Sequence, residues 1–208
     1  MVQKLNRLQV EEKLKSLGLL IFTPREFRDV FRVSENTASA FIKRNFKSGL
    51  FLKLRNGFYI LKDSYVSPYF IANRLYQPSY ISLEKALSYY SIIPETVYTI
   101  TSITTKPTRE FTTPTGVFSY QRIKKEAFIG YIPKEIEGIT TLFAEPEKAL
   151  ADYLYFVDLK KISLNDRLDL KSIKKTKLLA FIKLFKRQSL FKLVKQIYVE
   201  QRNPRKIY

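Results

Sequence analysis

Residues able to do covalent or metal chemistry are sparse in this chain. Its 208 residues include no His and no Cys. That removes His-based triads, thiolate nucleophiles, His- or Cys-bound zinc and the usual neutral-pH general base. No two of its six glycines are closer than eight residues, so there is neither a phosphate-cradling P-loop nor a dinucleotide fingerprint. Ser-x-x-Lys occurs at Ser82/Lys85, Ser172/Lys175 and Ser189/Lys192. With this content of Ser and Lys, chance alone supplies about two such matches, so they do not mark a nucleophile. A nuclease needs clustered carboxylates to hold Mg²⁺. The best candidates are Asp152 and Asp158, but six residues separate them on different parts of a helix surface, where a solvated face is the simpler expectation. Glu145 and Glu147 suit a first helical turn, where carboxylates complement the helix dipole. The sequence therefore predicts no catalytic residue, no metal site and no cofactor.

The charge points elsewhere. Lys and Arg number 37 against 19 Asp and Glu, a net +18, which suggests a polyanionic partner, most simply nucleic acid. Residues 1–63 carry 13 basic and 6 acidic side chains, residues 64–165 carry 11 and 10, and residues 166–208 carry 13 and 3. Both ends are basic and the middle is nearly neutral. An apolar content of 45% and a charged content of 27% are ordinary for a globular protein. No run approaches the roughly 18 apolar residues of a membrane helix, and Met1–Val10 lacks the apolar core of a signal peptide. A cytoplasmic protein without membrane contact is expected.

The elements that would position a nucleic-acid site are legible near the start. Leu5, Leu8, Leu14 and Leu17 predict a helix over 4–20, ended by Gly18. Thr23-Pro24-Arg25-Glu26 is a capping box with Pro at the first helical position, opening a short helix to about Phe31. Ser34 caps a third helix over 35–47, with Gly49 beyond it. Residues 51–54 and 58–61 then read as a β-hairpin, Asn56-Gly57 predicting a type I′ turn with positive φ at both positions. Three helices and a hairpin within about 60 residues predict a winged helix-turn-helix. A boundary is expected at residues 63–68, which end in the helix-breaking Pro68.

On the third helix Ala38, Phe41, Ile42 and Phe46 are expected to face inward. That leaves Asn36, Thr37, Ser39, Ala40, Lys43, Arg44 and Lys47 outside. Asn36 can pair with an adenine edge, and Thr37 or Ala40 can touch a thymine methyl. Ser39 and Ala40 are small enough for close approach to the groove. Lys43, Arg44 and Lys47 suit phosphates, as do Lys53, Arg55 and Asn56 on the wing.

The remainder, 64–208, is expected to be α+β, an antiparallel sheet flanked by helices. Ser82 is the expected cap of a helix with Leu83, Ala86, Leu87 and Tyr90 inside. Thr-rich strands follow at 97–104, 110–113, 117–123, 128–132 and 139–143. Ala149, Leu150, Tyr153, Leu154 and Val157 mark a helix opened by Pro146. In the basic tail, about 166–208, one helix carries Leu178, Phe181, Ile182 and Phe185, and another carries Leu190, Leu193, Val194, Ile197 and Tyr198. Lys183, Lys186, Lys192 and Lys195 lie off those stripes as an exposed basic surface.

Three segments carry a family resemblance. They are the N-terminal part through Arg55-Asn56-Gly57-Phe58-Tyr59-Ile60, then Tyr80-Ile81-Ser82-Leu83-Glu84-Lys85-Ala86-Leu87-Ser88-Tyr89-Tyr90 with Ile93-Pro94-Glu95. The third comprises Thr113-Pro114-Thr115-Gly116, Phe128-Ile129-Gly130 and Ala144-Glu145-Pro146-Glu147-Lys148-Ala149-Leu150-Ala151-Asp152. In these the chain resembles the AbiEi family of antitoxins, the regulatory half of type IV toxin–antitoxin systems that act in abortive infection and phage defence. The resemblance implies an N-terminal domain that binds inverted repeats in its own promoter and represses transcription. It implies a C-terminal domain that counteracts a nucleotidyltransferase-like toxin, without implying direct contact. None of the shared motifs is catalytic. The alternatives are a Mg²⁺-dependent nucleic-acid-processing enzyme targeted by the winged helix, and an RNA-binding accessory protein.

Overall fold

The computed structural model describes residues 5–202. The start of the expected first helix at residue 4, and residues 203–208 of the tail, lie outside that range. Among the described residues, eight α-helices and two sheets make a mixed α+β architecture. No described helix is long and apolar enough to cross a membrane.

The N-terminal elements are α1 (Arg7–Ser16), β1 (Ile21–Phe22), α2 (Pro24–Phe31), α3 (Glu35–Lys47), β2 (Phe51–Arg55) and β3 (Phe58–Leu61). The first helix is shorter than its leucine spacing predicts. Val10 and Leu14 are buried, whereas Leu8 and Leu17 are exposed. Gly18 takes positive φ. At α2 the Thr23 hydroxyl accepts the Glu26 N–H at 3.2 Å, and the Glu26 carboxylate accepts the Thr23 N–H at 2.8 Å, the reciprocal pair expected from the sequence. Arg32, left-handed at φ 50°, turns the chain into α3. Ser34 caps α3 by accepting the Thr37 N–H.

The hairpin turn is not type I′, because only Gly57 of the Asn56-Gly57 pair has positive φ. The register shifts between Lys53 and Arg55, so an irregularity at Leu54 adjusts the twist that a type I′ turn would have supplied. The small antiparallel sheet has the order β1-β3-β2. Both of its faces are covered. Phe22, Phe51 and Leu61 pack with Phe27, Phe41 and Leu14 of the helices, while Ile21, Leu54 and Ile60 pack into the larger C-terminal core.

The C-terminal part holds α4 (Pro68–Leu75), β4 (Ser79–Ile81), α5 (Leu83–Tyr89), β5 (Ile100–Thr104), β6 (Arg109–Thr113), β7 (Gly116–Arg122), β8 (Tyr131–Ile136), β9 (Ile139–Ala144), α6 (Pro146–Asp158), α7 (Lys175–Leu184) and α8 (Gln188–Arg202). Pro68 starts a helix rather than breaking one, since Pro is tolerated at the first helical position. The sheet is mixed rather than antiparallel, in the order β6-β7-β5-β4-β9-β8, with β4–β9 and β5–β7 parallel. Alternation identifies a strand but not its partner. Here the β6–β7 hairpin returns its second arm beside β5, which fixes that pair as parallel. The strand expected at 128–132 starts at Tyr131 and runs through Pro133, tolerated because β8 is an edge strand.

The centre of this part is charged. Lys148 and Asp152, one turn apart on α6, form an ion pair with both side chains fully buried. Tyr80 and Ser82 donate their hydroxyls to Asp152 Oδ2 at 2.9 and 2.8 Å. The Lys148 ammonium also sits 5.0 Å from the centre of the Phe185 ring. Ser82 therefore does not cap α5, as its position predicts, but bonds across to α6. Burial pushes the Asp152 carboxyl up, against the pull of Lys148, Ser82 and Tyr80. Nearby Gly130, at φ 78°, admits no side chain, because a Cβ would lie 2.5 Å from the Phe181 ring.

Removing one partner of a buried pair leaves the other charge uncompensated. Asp152→Ala or Lys148→Ala is expected to cost about 3–5 kcal/mol, whereas the double change Lys148→Met with Asp152→Leu should cost much less. Urea unfolding of the three variants measures this; additive losses would contradict it.

Candidate nucleic-acid interface

The outward face of α3 is built from its inward one. Ala38, Phe41 and Ile42 are buried as expected, but the fourth inward residue is Asn45 and not Phe46. Asn45 donates its amide to the Phe41 carbonyl at 2.9 Å. Phe46, expected inside, is 45% exposed. Asn36, Ser39, Ala40, Lys43, Arg44 and Lys47 are exposed and Thr37 is half-buried. The Thr37 hydroxyl lies 2.8 Å from that of Ser34 at the helix cap, so its methyl is the freer group. Asn36 to Ala40 thus occupy the N-terminal half of the helix, and the cations Lys43, Arg44 and Lys47 the C-terminal half.

α3 and the hairpin share one surface. Lys43, Lys47 and Lys53 converge with Phe46, Ser39 and Tyr59 around a hollow of about 340 Å³. Three lysines among the residues lining one concavity give it a positive surround, which suits an anionic oxygen array such as a phosphate backbone. Asn56 is exposed at the hairpin turn.

Arg55 does something different from what its position on the hairpin predicts. Its Nε donates to the Leu75 carbonyl at 2.9 Å, and its guanidinium lies 4.0 Å from the centre of the Phe58 ring and 5.5 Å from that of Phe111. It clasps the hairpin to α4 and β6 while remaining half-buried. Arg74 of α4 makes the second clasp, donating to Glu26 Oε1 of α2 at 2.6 Å. Partial burial raises the Glu26 carboxyl, but hydrogen bonds from Arg74 and Thr23 outweigh it and hold the group below the ordinary glutamate value. Neither clasp is signalled locally in the sequence, since each joins residues 20 or 48 positions apart.

In the tail Lys183, Lys186, Lys192 and Lys195 are all exposed. The apolar stripes beneath them pack into the large core: Leu178, Phe181, Ile182, Phe185, Leu190, Val194 and Ile197 are buried, and Leu193 and Tyr198 are half-buried. Glu145 and Glu147 help to hold this tail down. Lys177 contacts both, and Glu147 accepts the Lys174 N–H at 3.2 Å.

The carboxylates named for a Mg²⁺-dependent alternative are each engaged by other groups. Asp152 is closed off beside Lys148, and Asp158 accepts from Arg187 at 2.5 Å and from Ser189 at 3.0 Å. Among the described residues no group of three or more acidic side chains is placed to hold a metal ion. No protein-family model and no curated protein matches the chain.

Arg55→Ala is expected to lower stability by about 1–3 kcal/mol through the lost hydrogen bond and ring contacts. Urea unfolding checks this; a stability equal to that of the parent chain would contradict the clasp.

Proposed function

We propose that residues 1–63 are a winged helix-turn-helix that binds duplex DNA, with α3 in the major groove and the β2–β3 hairpin as the wing. The observation that carries this reading is the division of the exposed face of α3. Small and amide-bearing side chains occupy one half, and a lysine-lined hollow shared with the hairpin occupies the other. The excess positive charge supports it, because neutralising phosphates releases counterions and drives binding. Asn36 reads a base edge, Thr37, Ser39 and Ala40 fit against the groove, and Lys43, Arg44, Lys47, Lys53 and Asn56 anchor the backbone.

Residues 64–208 are the effector half of a cytoplasmic repressor and antitoxin that autoregulates its operon and counteracts a nucleotidyltransferase-like toxin. This part of the proposal rests on the resemblance in residues 80–95 and 113–152. The DNA sites are inverted repeats in the chain's own promoter. A search of the adjacent reading frame for a nucleotidyltransferase, followed by co-expression for rescue of growth, tests it.

A gel shift of the full chain on its promoter tests the DNA-binding half. Asn36→Ala is expected to relax preference at one base position at a cost of about 1–3 kcal/mol. Lys43→Ala and Arg44→Ala should weaken all sequences alike, each lowering the log–log salt slope by about 0.9. Unchanged sequence preference and affinity in Asn36→Ala would contradict the assignment of that residue.

A further inference from the structure

In the large sheet β4 and β9 are paired only at Ile81 and Phe143. Toward their N-terminal ends Asn73 of α4 takes the place of the neighbouring strand. It accepts the Leu142 N–H at 2.5 Å and lies 3.4 Å from the Leu142 carbonyl. The gap that results is a cleft of about 680 Å³, within the range of small-molecule sites.

Its chemistry is selective. Phe70, Phe128, Tyr131 and Leu142 provide apolar and aromatic walls, and Arg74 and Lys106 provide two cations. Among the described residues no acidic side chain lines it. Ser79, 3% exposed, also lines it, and its buried hydroxyl has no hydrogen-bond partner. A buried hydroxyl without a partner is costly and leaves this wall with an unmet polar group. The Tyr131 wall is rigid, since its ring stacks on Tyr80 at 4.6 Å and Tyr80 is anchored to Asp152.

We propose that this cleft binds a small organic anion with a flat apolar body, such as an aromatic carboxylate, and that the ligand acts as an effector of DNA binding. The anion meets Lys106 and Arg74, and the apolar body lies among the aromatic walls. Arg74 is also the residue that holds Glu26 on α2 at 2.6 Å. An anion at Arg74 competes with Glu26 and loosens the clasp between α2 and α4, one of the two that join the N-terminal and C-terminal parts. Linkage then requires ligand and DNA to change each other's affinity by the same factor. The regulatory consequence rests on the DNA-binding reading above; the binding site does not.

The test is a fluorescence titration of the full chain with 8-anilinonaphthalene-1-sulfonate, an aromatic anion. Saturable binding at one site is expected, displaced by 1-naphthoate but not by acetate, which has the charge without the apolar body. Lys106→Glu should weaken it about tenfold, while Lys183→Glu, which makes the same charge change on exposed α7, should leave it unchanged. Glu26→Gln keeps a residue suited to the capping box and removes the charge that holds Arg74, so it should tighten binding about fivefold. Equal effects of the two lysine reversals, or displacement by acetate, would overturn the site. Unchanged affinity in Glu26→Gln would overturn the link to α2. A chain that fails to shift DNA yet passes the titration defeats the DNA-binding reading and the effector role while leaving the site standing.

Discussion

A lysine and an aspartate with no solvent exposure lie at the centre of the C-terminal part and must be kept together as a pair. Taking two charges out of water is costly, and the cost is met only where the geometry is good and the remaining oxygen positions are satisfied. Here the second carboxylate oxygen receives hydroxyls from Tyr80 and Ser82. That requirement fixes α6 against β4 and the start of α5, and the Phe185 ring over the lysine brings in the end of α7. A charged centre with assigned partners specifies one arrangement of these four elements.

From this centre the constraint reaches the N-terminal helices through the small sheet. Ile21, Leu54 and Ile60 belong to the large core, while the opposite face of the same strands packs under α2 and α3. Arg55 and Arg74 then fasten the hairpin and α2 to α4 and β6. The proposed DNA-reading helix is thus presented by a supported platform, which limits the orientations that must be frozen out on binding.

Local chemistry was readable from sequence, and long-range pairing was not. The Thr23–Glu26 capping box and the Ser34 cap lie within four residues, so α2 and α3 are visible with their bounds. The tail stripes at Leu178 and Leu190 follow from helical periodicity. By contrast, Asp152 looks like a solvated residue because nothing in α6 reveals Tyr80 and Ser82 some 70 positions away. Phe46 reads as core because periodicity weighs it above Asn45, yet Asn45 satisfies its amide on the Phe41 carbonyl and can be buried. The part Arg55 plays in joining the hairpin to the C-terminal part is not visible locally, because the Phe111 ring and the Leu75 carbonyl come from β6 and α4. Sheet direction failed for the same reason, since it depends on which arm of a hairpin meets which strand.

The central claim is that α3 is the surface that meets DNA. Because the chain has no cysteine, Ser39→Cys provides a single attachment point for an iron chelate that cuts nearby DNA. With the labelled full chain bound to its promoter, cleavage is expected at one short segment in each inverted repeat, and the same label at Lys183→Cys should give none at those positions. Bound DNA that shows no localised cleavage from residue 39 would contradict the claim.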